Sequence, residues 1–296
     1  MKKRVKVGFS TNTVITDTAT GRAKAPASLG LIAGKGIYPV LLARAARAAG
    51  VAELAVVAFD EETDPVLRDL ATHYTSLRVG QLGKLLSFFN DHEITRAIMA
   101  GQITPGRLFD LKPDLKALLL LAKLKERNAE TIFGAVADEL GKGGTELLPA
   151  TTYLEESLAA PGHIAGPAPN RHSRDDLAFG FRIAREMARL DVGQSVVVKR
   201  GTVLAVEAFE GTDAMVRRGG PLGRGGAILV KVSKPGQDFR FDVPVIGPQT
   251  LQTAHEAGIG IIGCEAGRTL LLDKDRVKGL AHEWSISLVG LSEQKQ

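Results

Sequence analysis

Leu29-Gly30-Leu31-Ile32-Ala33, then Gly34-Lys35-Gly36, then Ile37-Tyr38-Pro39-Val40-Leu41-Leu42-Ala43 is the stretch on which the fold turns. A short apolar run is broken by a glycine turn, and an Ala/Leu-rich segment over Tyr38 to Ala49 follows, so the pattern predicts strand, turn and helix. The same alternation continues downstream. Strands are expected over Glu53 to Phe59, Thr75 to Val79 and Arg96 to Ala100, with a helix over Gly83 to Asp91. Strands alternating with helices predict a parallel sheet. Further helices are expected over Asp114 to Arg127 and Glu130 to Leu140, before the loop Lys142-Gly143-Gly144.

Between Ala159 and Asn170 the breakers Pro161, Gly162, Gly166, Pro167 and Pro169 erase both periodicities, which predicts a linker. Beyond it come a helix over Arg174 to Leu190 and two β-rich runs, Gln194 to Lys199 and Thr202 to Ala208, joined hairpin-fashion at Arg200-Gly201. Strands at Ala227 to Val232, Phe239 to Val245, Ile259 to Cys264 and Thr269 to Leu272 follow, with a helix over Thr250 to Ala257. The expected class is therefore α/β: an N-terminal Rossmann-like parallel-sheet domain and a C-terminal mixed α/β domain with hairpins. The expected divisions are a loosely ordered extension 1–28, a first domain 29–160, a linker 161–172 and a catalytic domain 173–296.

With 296 residues, 44% hydrophobic and 24% charged, the chain is long enough for two cores and is neither disordered nor collagen-like. Its longest strongly apolar run, Ala117 to Ala122, is far short of the roughly 20 residues of a membrane span. A net charge of +5 favours an anionic ligand or membrane surface. At 5% aromatic, with no helix-turn-helix signature, nucleic-acid binding is not expected. The lone cysteine, Cys264, excludes an internal disulfide or a CxxC site and reads as a buried strand thiol of a cytosolic protein; Lys2, Lys3 and Arg4 precede no apolar core of a secretory signal. None of the histidines has metal-ligand spacing.

Four segments carry candidate chemistry. Gly34-Lys35-Gly36 lies where a dinucleotide fold places its phosphate turn, but Pro39 replaces the third glycine of the fingerprint and Asp60 lies beyond the ribose-acid spacing, so a plain strand-to-helix connection is an equal reading. Glu207-Ala208-Phe209-Glu210-Gly211-Thr212-Asp213 puts three carboxylates at a strand exit, where Glu210 and Asp213 suit a hard cation and Thr212 a ligand-facing helix start, or else Glu210 is a solvated loop residue, Thr212 an N-cap and Asp213 a favourable first-turn charge. Arg217, Arg218, Gly219, Gly220, Gly223, Arg224, Gly225 and Gly226 form a glycine-rich basic loop fit for phosphate oxygens or merely solvated. Asp242, within an expected apolar strand, needs a partner, a proton or a metal; Arg240 or Lys234 would serve as the ion-pair partner. Glu265, in Glu265-Ala266-Gly267-Arg268, is a further acid at a strand exit, better read as a turn with a local ion pair than as a metal ligand.

These segments, together with Leu190-Asp191-Val192-Gly193-Gln194, Lys231-Val232-Ser233-Lys234-Pro235 and Arg240-Phe241-Asp242-Val243-Pro244, resemble the LpxI type of UDP-2,3-diacylglucosamine pyrophosphatase over nearly everything after residue 28. The resemblance implies a cytoplasmic Mg²⁺-dependent enzyme of lipid A synthesis that releases 2,3-diacylglucosamine 1-phosphate (lipid X) and UMP, with two domains clasping the lipid. It also implies a lipid-linked sugar-nucleotide substrate, contact with the anionic inner-membrane surface and a homodimer. Carried onto this chain, Asp242 is the most important acid, with Glu210 and Asp213 next; Asp213 and Asp242 are the expected metal ligands. Gly34, Lys35, Gly36, Thr212, Arg224, Lys234 and Glu265 are the expected substrate-binding set. A non-catalytic nucleotide- or lipid-binding protein and an NAD(P)-dependent Rossmann oxidoreductase are the alternatives.

Overall fold

The computed structural model describes residues 26–103, 113–126 and 128–293, so the expected N-terminal extension lies outside the described residues up to residue 25. The first half runs β1 (Ser28–Ala33), α1 (Tyr38–Ala48), β2 (Glu53–Phe59), α2 (Leu67–Leu70), β3 (His73–Leu77), α3 (Leu82–Asp91), β4 (Arg96–Ala100), α4 (Leu115–Lys123), α5 (Ala129–Lys142) and β5 (Glu146–Leu147). Its five strands stand in the order β3-β2-β1-β4-β5, all parallel. The sheet is covered on both faces, which is why its strands are continuously apolar rather than alternating. Leu29, Leu31 and Ala33 of β1 pack with Val40 and Leu42 of α1. Ile32 points the other way, onto Leu85 and Phe89 of α3 and Leu140 of α5. Asp114 ties the helical layer together: its carboxylate accepts from Ala117 N (2.8 Å), capping α4, and from Gly83 N (2.6 Å) at the start of α3.

The second half contains β6 (Gly162–Ala165), α6 (Arg171–Arg189), β7 (Ser195–Lys199), β8 (Thr202–Val206), α7 (Thr212–Gly219), β9 (Ala227–Lys231), β10 (Val245–Ile246), α8 (Pro248–Glu256), β11 (Ile259–Glu265), β12 (Leu270–Leu271), α9 (Lys274–Glu283) and β13 (Ser287–Leu291). Its main sheet has the order β6-β13-β11-β9-β7-β8. The inner trio β13, β11 and β9 is parallel, and β6, β7 and β8 are antiparallel to their neighbours. The mixed α/β class and the hairpin are as expected, with Arg200 (φ 48°) and Gly201 (φ 69°) both left-handed at its tip. Cys264 is fully buried in β11, and burial pushes its thiol up to about 12.

Two expectations are corrected. The breaker-rich segment is not featureless: Gly162–Ala165 pairs with β13 as an edge strand, a position where flanking prolines cost no ladder hydrogen bond. Phe239 to Val245 is not a strand. Asp238 bends it, accepting from Arg240 N through its carboxylate (3.0 Å) and from Asp242 N through its carbonyl (3.0 Å), and only Val245–Ile246 is extended. The shared strand parity expected for Arg240 and Asp242 disappears with it. The sequence reading also omitted α9 and β13.

The halves are joined by more than the chain. Ala150 N donates to Phe239 O (2.7 Å) and Ala159 N to Thr269 O (2.9 Å). Leu270 and Leu272 are buried in the same core as β1 and α1, against which Val243 and Val245 also pack.

Candidate functional site

In the mixed sheet, the carboxyl ends of β8, β9 and β11 and the start of β7 all lie along one edge. The register puts Ser195 opposite Lys231 and Val196 opposite Val206, so residues 194–195, 207 and 231 meet there. Lys231 Nζ donates to Thr212 Oγ1 (3.1 Å), and that hydroxyl donates to Glu207 Oε1 (2.8 Å); Ser195 Oγ lies 3.5 Å from it. Thr212 is thus a polar bridge rather than a helix cap, the N-cap position of α7 being Gly211. Glu207 Oε2 is buried and has no hydrogen-bond partner. Gly193 makes this approach feasible, because any Cβ there would lie 2.0 Å from Glu207 O.

Two half-buried acids adjoin the bridge. Burial is the main cause that raises the Asp213 carboxyl above its ordinary range, opposed by Arg217 and Lys231 and reinforced by Glu207. Asp242 is raised the same way, chiefly by burial, against a hydrogen bond from Gln237 and the charges of Lys234 and Lys231. Lys231 therefore acts on both acids. Gln237 is set by a tight turn, its Oε1 accepting from Lys234 N (2.6 Å), and its Nε2 reaches Gln194 Oε1 (3.5 Å). Lys234 Nζ is ion-paired with Asp191. The segment Asp191 to Gln194 thus touches this site three times, through Lys234, Glu207 and Gln237.

Asp242 also stands at the seam between the halves. Its neighbour Phe241 packs into the first domain's core and meets Phe133 of α5 in a tilted ring contact, centroids 5.8 Å apart, while Val243 enters the core beneath β1. Only the carboxylate faces the lysines of the second half. Arg240 is not its partner; that guanidinium is held by Asp238 (2.6 Å).

Other sequence-derived candidates lie elsewhere or are already engaged. Glu210 is exposed and bound to Arg218 (2.6 Å), which holds its carboxyl below the usual range. Arg224, left-handed at φ 51°, precedes β9, at the opposite end of the sheet from Lys231. The four-residue rise of that strand alone separates them by about 13 Å. The surrounding glycine loop is tied down by Lys199 Nζ, which donates to Gly223 O (2.6 Å) and Gly225 O (2.5 Å). Glu265 is 6% exposed, with both oxygens used: Oε2 accepts from Ser233 N (2.8 Å) and Oγ (2.7 Å), Oε1 from Arg185 (2.8 Å). It positions the Ser233-Lys234 turn and leaves no oxygen for a ligand.

At the first domain's glycine turn, Gly34 N donates to Ala100 O (2.8 Å), Lys35 N to Gln102 O (2.7 Å) and Gln102 N to Lys35 O (3.1 Å). Two of the amides that a phosphate would need are spent, and the crevice between β1 and β4, where an open α/β sheet binds its nucleotide, is bridged by backbone.

Among the described residues, no three His, Cys, Asp or Glu side chains converge as a metal cage. Glu207, Lys231, Gly193, Gln194 and Gln237 were not singled out in the sequence. The available signals were Glu207 as first of the three clustered acids, and Lys231 as a charge closing an apolar strand.

Models of two protein families match this chain: the LpxI N-terminal domain over residues 28–157 and the LpxI C-terminal domain over residues 160–289. The UDP-2,3-diacylglucosamine pyrophosphatase LpxI of Caulobacter vibrioides is 35% identical over 280 residues, covering 90% of this chain and 99% of that protein. Among solved structures, the crystal structure of gox2253 aligns over 90% of each chain with a TM-score of 0.30 and 9% identity, too slight a likeness to carry an argument.

Proposed function

The chain belongs to the LpxI family, and from that premise we propose that it hydrolyses the pyrophosphate bond of UDP-2,3-diacylglucosamine to 2,3-diacylglucosamine 1-phosphate and UMP. It is a hydrolase. The observation that supports this most is the placement of Asp242: a half-buried carboxylate at the seam of the two halves, facing Lys231 and Lys234. Burial makes it a stronger proton acceptor than a solvated aspartate, which suits it to orient and deprotonate an attacking water. The two ammonium groups supply preorganised positive charge for the pyrophosphate oxygens. Thr212 holds Lys231 and Glu207 in register with each other.

Magnesium is part of this reading. Mg²⁺ characteristically takes one or two carboxylates and fills its remaining positions with water and substrate phosphates, so the lack of a converging carboxylate cage among the described residues is compatible with it. The unpartnered buried Oε2 of Glu207, close enough to Asp213 to raise its proton affinity, offers the kind of acceptor a hard cation needs. Asp213 and Asp242 would hold the ion, with Glu207 adding negative charge beside Asp213. When bound, Mg²⁺ neutralises charge developing on the pyrophosphate oxygens. The reading further places the protein in the cytoplasm, at the anionic face of the inner membrane, with the homodimer resting on the resemblance alone.

Incubating the purified protein with UDP-2,3-diacylglucosamine, with Mg²⁺ or EDTA, and following UMP and lipid X by mass spectrometry tests it. Both products are expected with Mg²⁺, and neither with EDTA nor from Asp242→Ala. Substrate retained unchanged by folded protein would favour a binding role instead. The NAD(P) alternative is disfavoured by the bridged crevice at Lys35 and Gln102.

A further inference from the structure

Helix α4 is apolar on two opposite faces. Its inner face, Ala117, Leu120 and Leu121, lines an apolar cavity of about 90 Å³ together with Phe133 of α5, the ring in tilted contact with Phe241 beside Asp242. Its outer face carries Leu115, Leu118 and Leu119, which are 73%, 53% and 56% exposed, and Ala122 continues the row. These positions are spaced i, i+3, i+4 and i+7, so they form one stripe along the helix. Lys116 and Lys123 fall a quarter turn to one side of it, both exposed, and Lys84 of α3 lies across the groove at the helix start. Acids also lie close: Glu139 of α5 pairs with Lys142 (2.5 Å) and is near enough to Lys116 and Lys123 to feel both charges, Asp91 lines the groove with Lys84, and Asp114 is engaged in capping α3 and α4.

We propose that this face of α4 is the surface by which the protein docks on an anionic phospholipid bilayer. The proposal rests on the reading of a lipid-linked substrate given above and names the surface that brings the enzyme to it. Three leucines held out in water flanked by lysines match a membrane interface, where apolar side chains enter the acyl boundary and ammonium groups meet lipid phosphates. Nine residues rise only about 13 Å, less than half of a bilayer core, so the helix lies in the interface and does not cross it. A second copy packed antiparallel on this face is a poorer occupant, because the twofold axis would then bring like-charged lysines together on one side. The orientation has a consequence for access: the element resting on the lipid is the one that walls the apolar cavity lined by Phe133, whose ring in turn contacts Phe241.

The test is sedimentation of the full chain with vesicles free of substrate, either phosphatidylglycerol/phosphatidylethanolamine or phosphatidylcholine alone. The wild-type protein is expected to pellet with the anionic vesicles, less so with phosphatidylcholine. Leu115→Ser/Leu118→Ser/Leu119→Ser should weaken the partitioning at least about tenfold. Lys116→Glu/Lys123→Glu should weaken it on anionic vesicles and leave phosphatidylcholine binding unchanged. Both variants should keep the wild-type circular dichroism and its hydrolysis of detergent-dispersed substrate, since these side chains point outward. Folded wild-type protein that stays in the supernatant, or a triple variant that pellets like wild type, overturns the proposal. So does a wild-type dimer, seen by analytical ultracentrifugation, that the triple variant breaks while vesicles bind neither. Because the vesicles carry no substrate, a failure here is separate from a failure of the hydrolase reading, which the detergent assay reports.

Discussion

Two strand exits in this molecule have similar sequence credentials and opposite fates. At Gly34-Lys35-Gly36 a glycine turn follows an apolar parallel strand, the arrangement that in a dinucleotide fold cradles phosphate. The structure closes it: Gly34 and Gly101 let the chains approach so closely that Lys35 and Gln102 pair backbone to backbone, and a Cβ on Gly34 would sit 2.5 Å from Gln102 O. At the exits of β8 and β9, side chains converge instead, with Glu207, Thr212 and Lys231 hydrogen-bonded in series beside Asp213 and Asp242. Strand topology places a crevice; whether it serves a ligand depends on what its polar groups are already bonded to.

The sharpest way to break this contrast is Asp242→Ala. Turnover is expected to fall by a factor of about 10³ or more, with binding of the lipid product retained. A fully active variant removes the second strand exit from contention. Next comes Glu207→Gln, which keeps an acceptor for Thr212 but removes the charge at the unpartnered oxygen. A drop of about tenfold to a hundredfold in kcat/KM, with a raised Mg²⁺ requirement, is expected from steady-state kinetics over a magnesium series. Unchanged magnesium dependence would exclude Glu207 from the ion's neighbourhood.

On the first strand exit the expected effect is on stability. Gly34→Ala drives a methyl group into backbone and should cost roughly 1–3 kcal/mol in denaturant unfolding while leaving the KM of the folded enzyme unaltered. Burial raises both Asp213 and Asp242, so between their unfolded pKa, about 3.9, and their folded values the native state binds more protons than the unfolded chain. Their contribution to stability is full below the unfolded value and is lost as pH rises through the folded one. Asp242→Asn should therefore raise the thermal midpoint at pH 7, the gain vanishing near pH 4. The smallest effects separate the two regions most directly: Lys35→Ala and Arg224→Ala should each change kcat/KM less than about twofold, as for exposed residues outside the site. A tenfold rise in KM for Lys35→Ala would restore the phosphate reading of the glycine turn.

Much of the molecule could be read from local pattern. Periodicity and glycine punctuation are short-range signals, and they located β1, α1, β2, β4 and the β7–β8 hairpin to within a residue or two. They failed where neighbours decide. Phe239 to Val245 has strand composition, yet a side chain within the segment's own turn, Asp238, bends it, and contacts to Ala150, Phe133 and the first core hold it there. Glu265 read as a turn acid with a local ion pair, yet its shorter contacts are to Arg185 and Ser233, 80 and 32 residues away, which no local pattern reveals.

The amino-acid order alone sufficed for the α/β class and for marking the acidic segment 207–213, since both rest on residue type and spacing within a few positions, whereas Asp242 was marked by the resemblance and by a strand that does not form. Which acids gather, which are neutralised and which glycine turn stays open depended on long-range pairing. Arg224 and Lys231 lie seven residues apart and at opposite ends of one strand, whereas Gln194 and Gln237, 43 residues apart, meet beside Asp242. Sequence spacing reports a site only when both partners belong to one local element; the rest of this one is assembled by the register of β7, β8, β9 and β11 and by the burial that raises its acids.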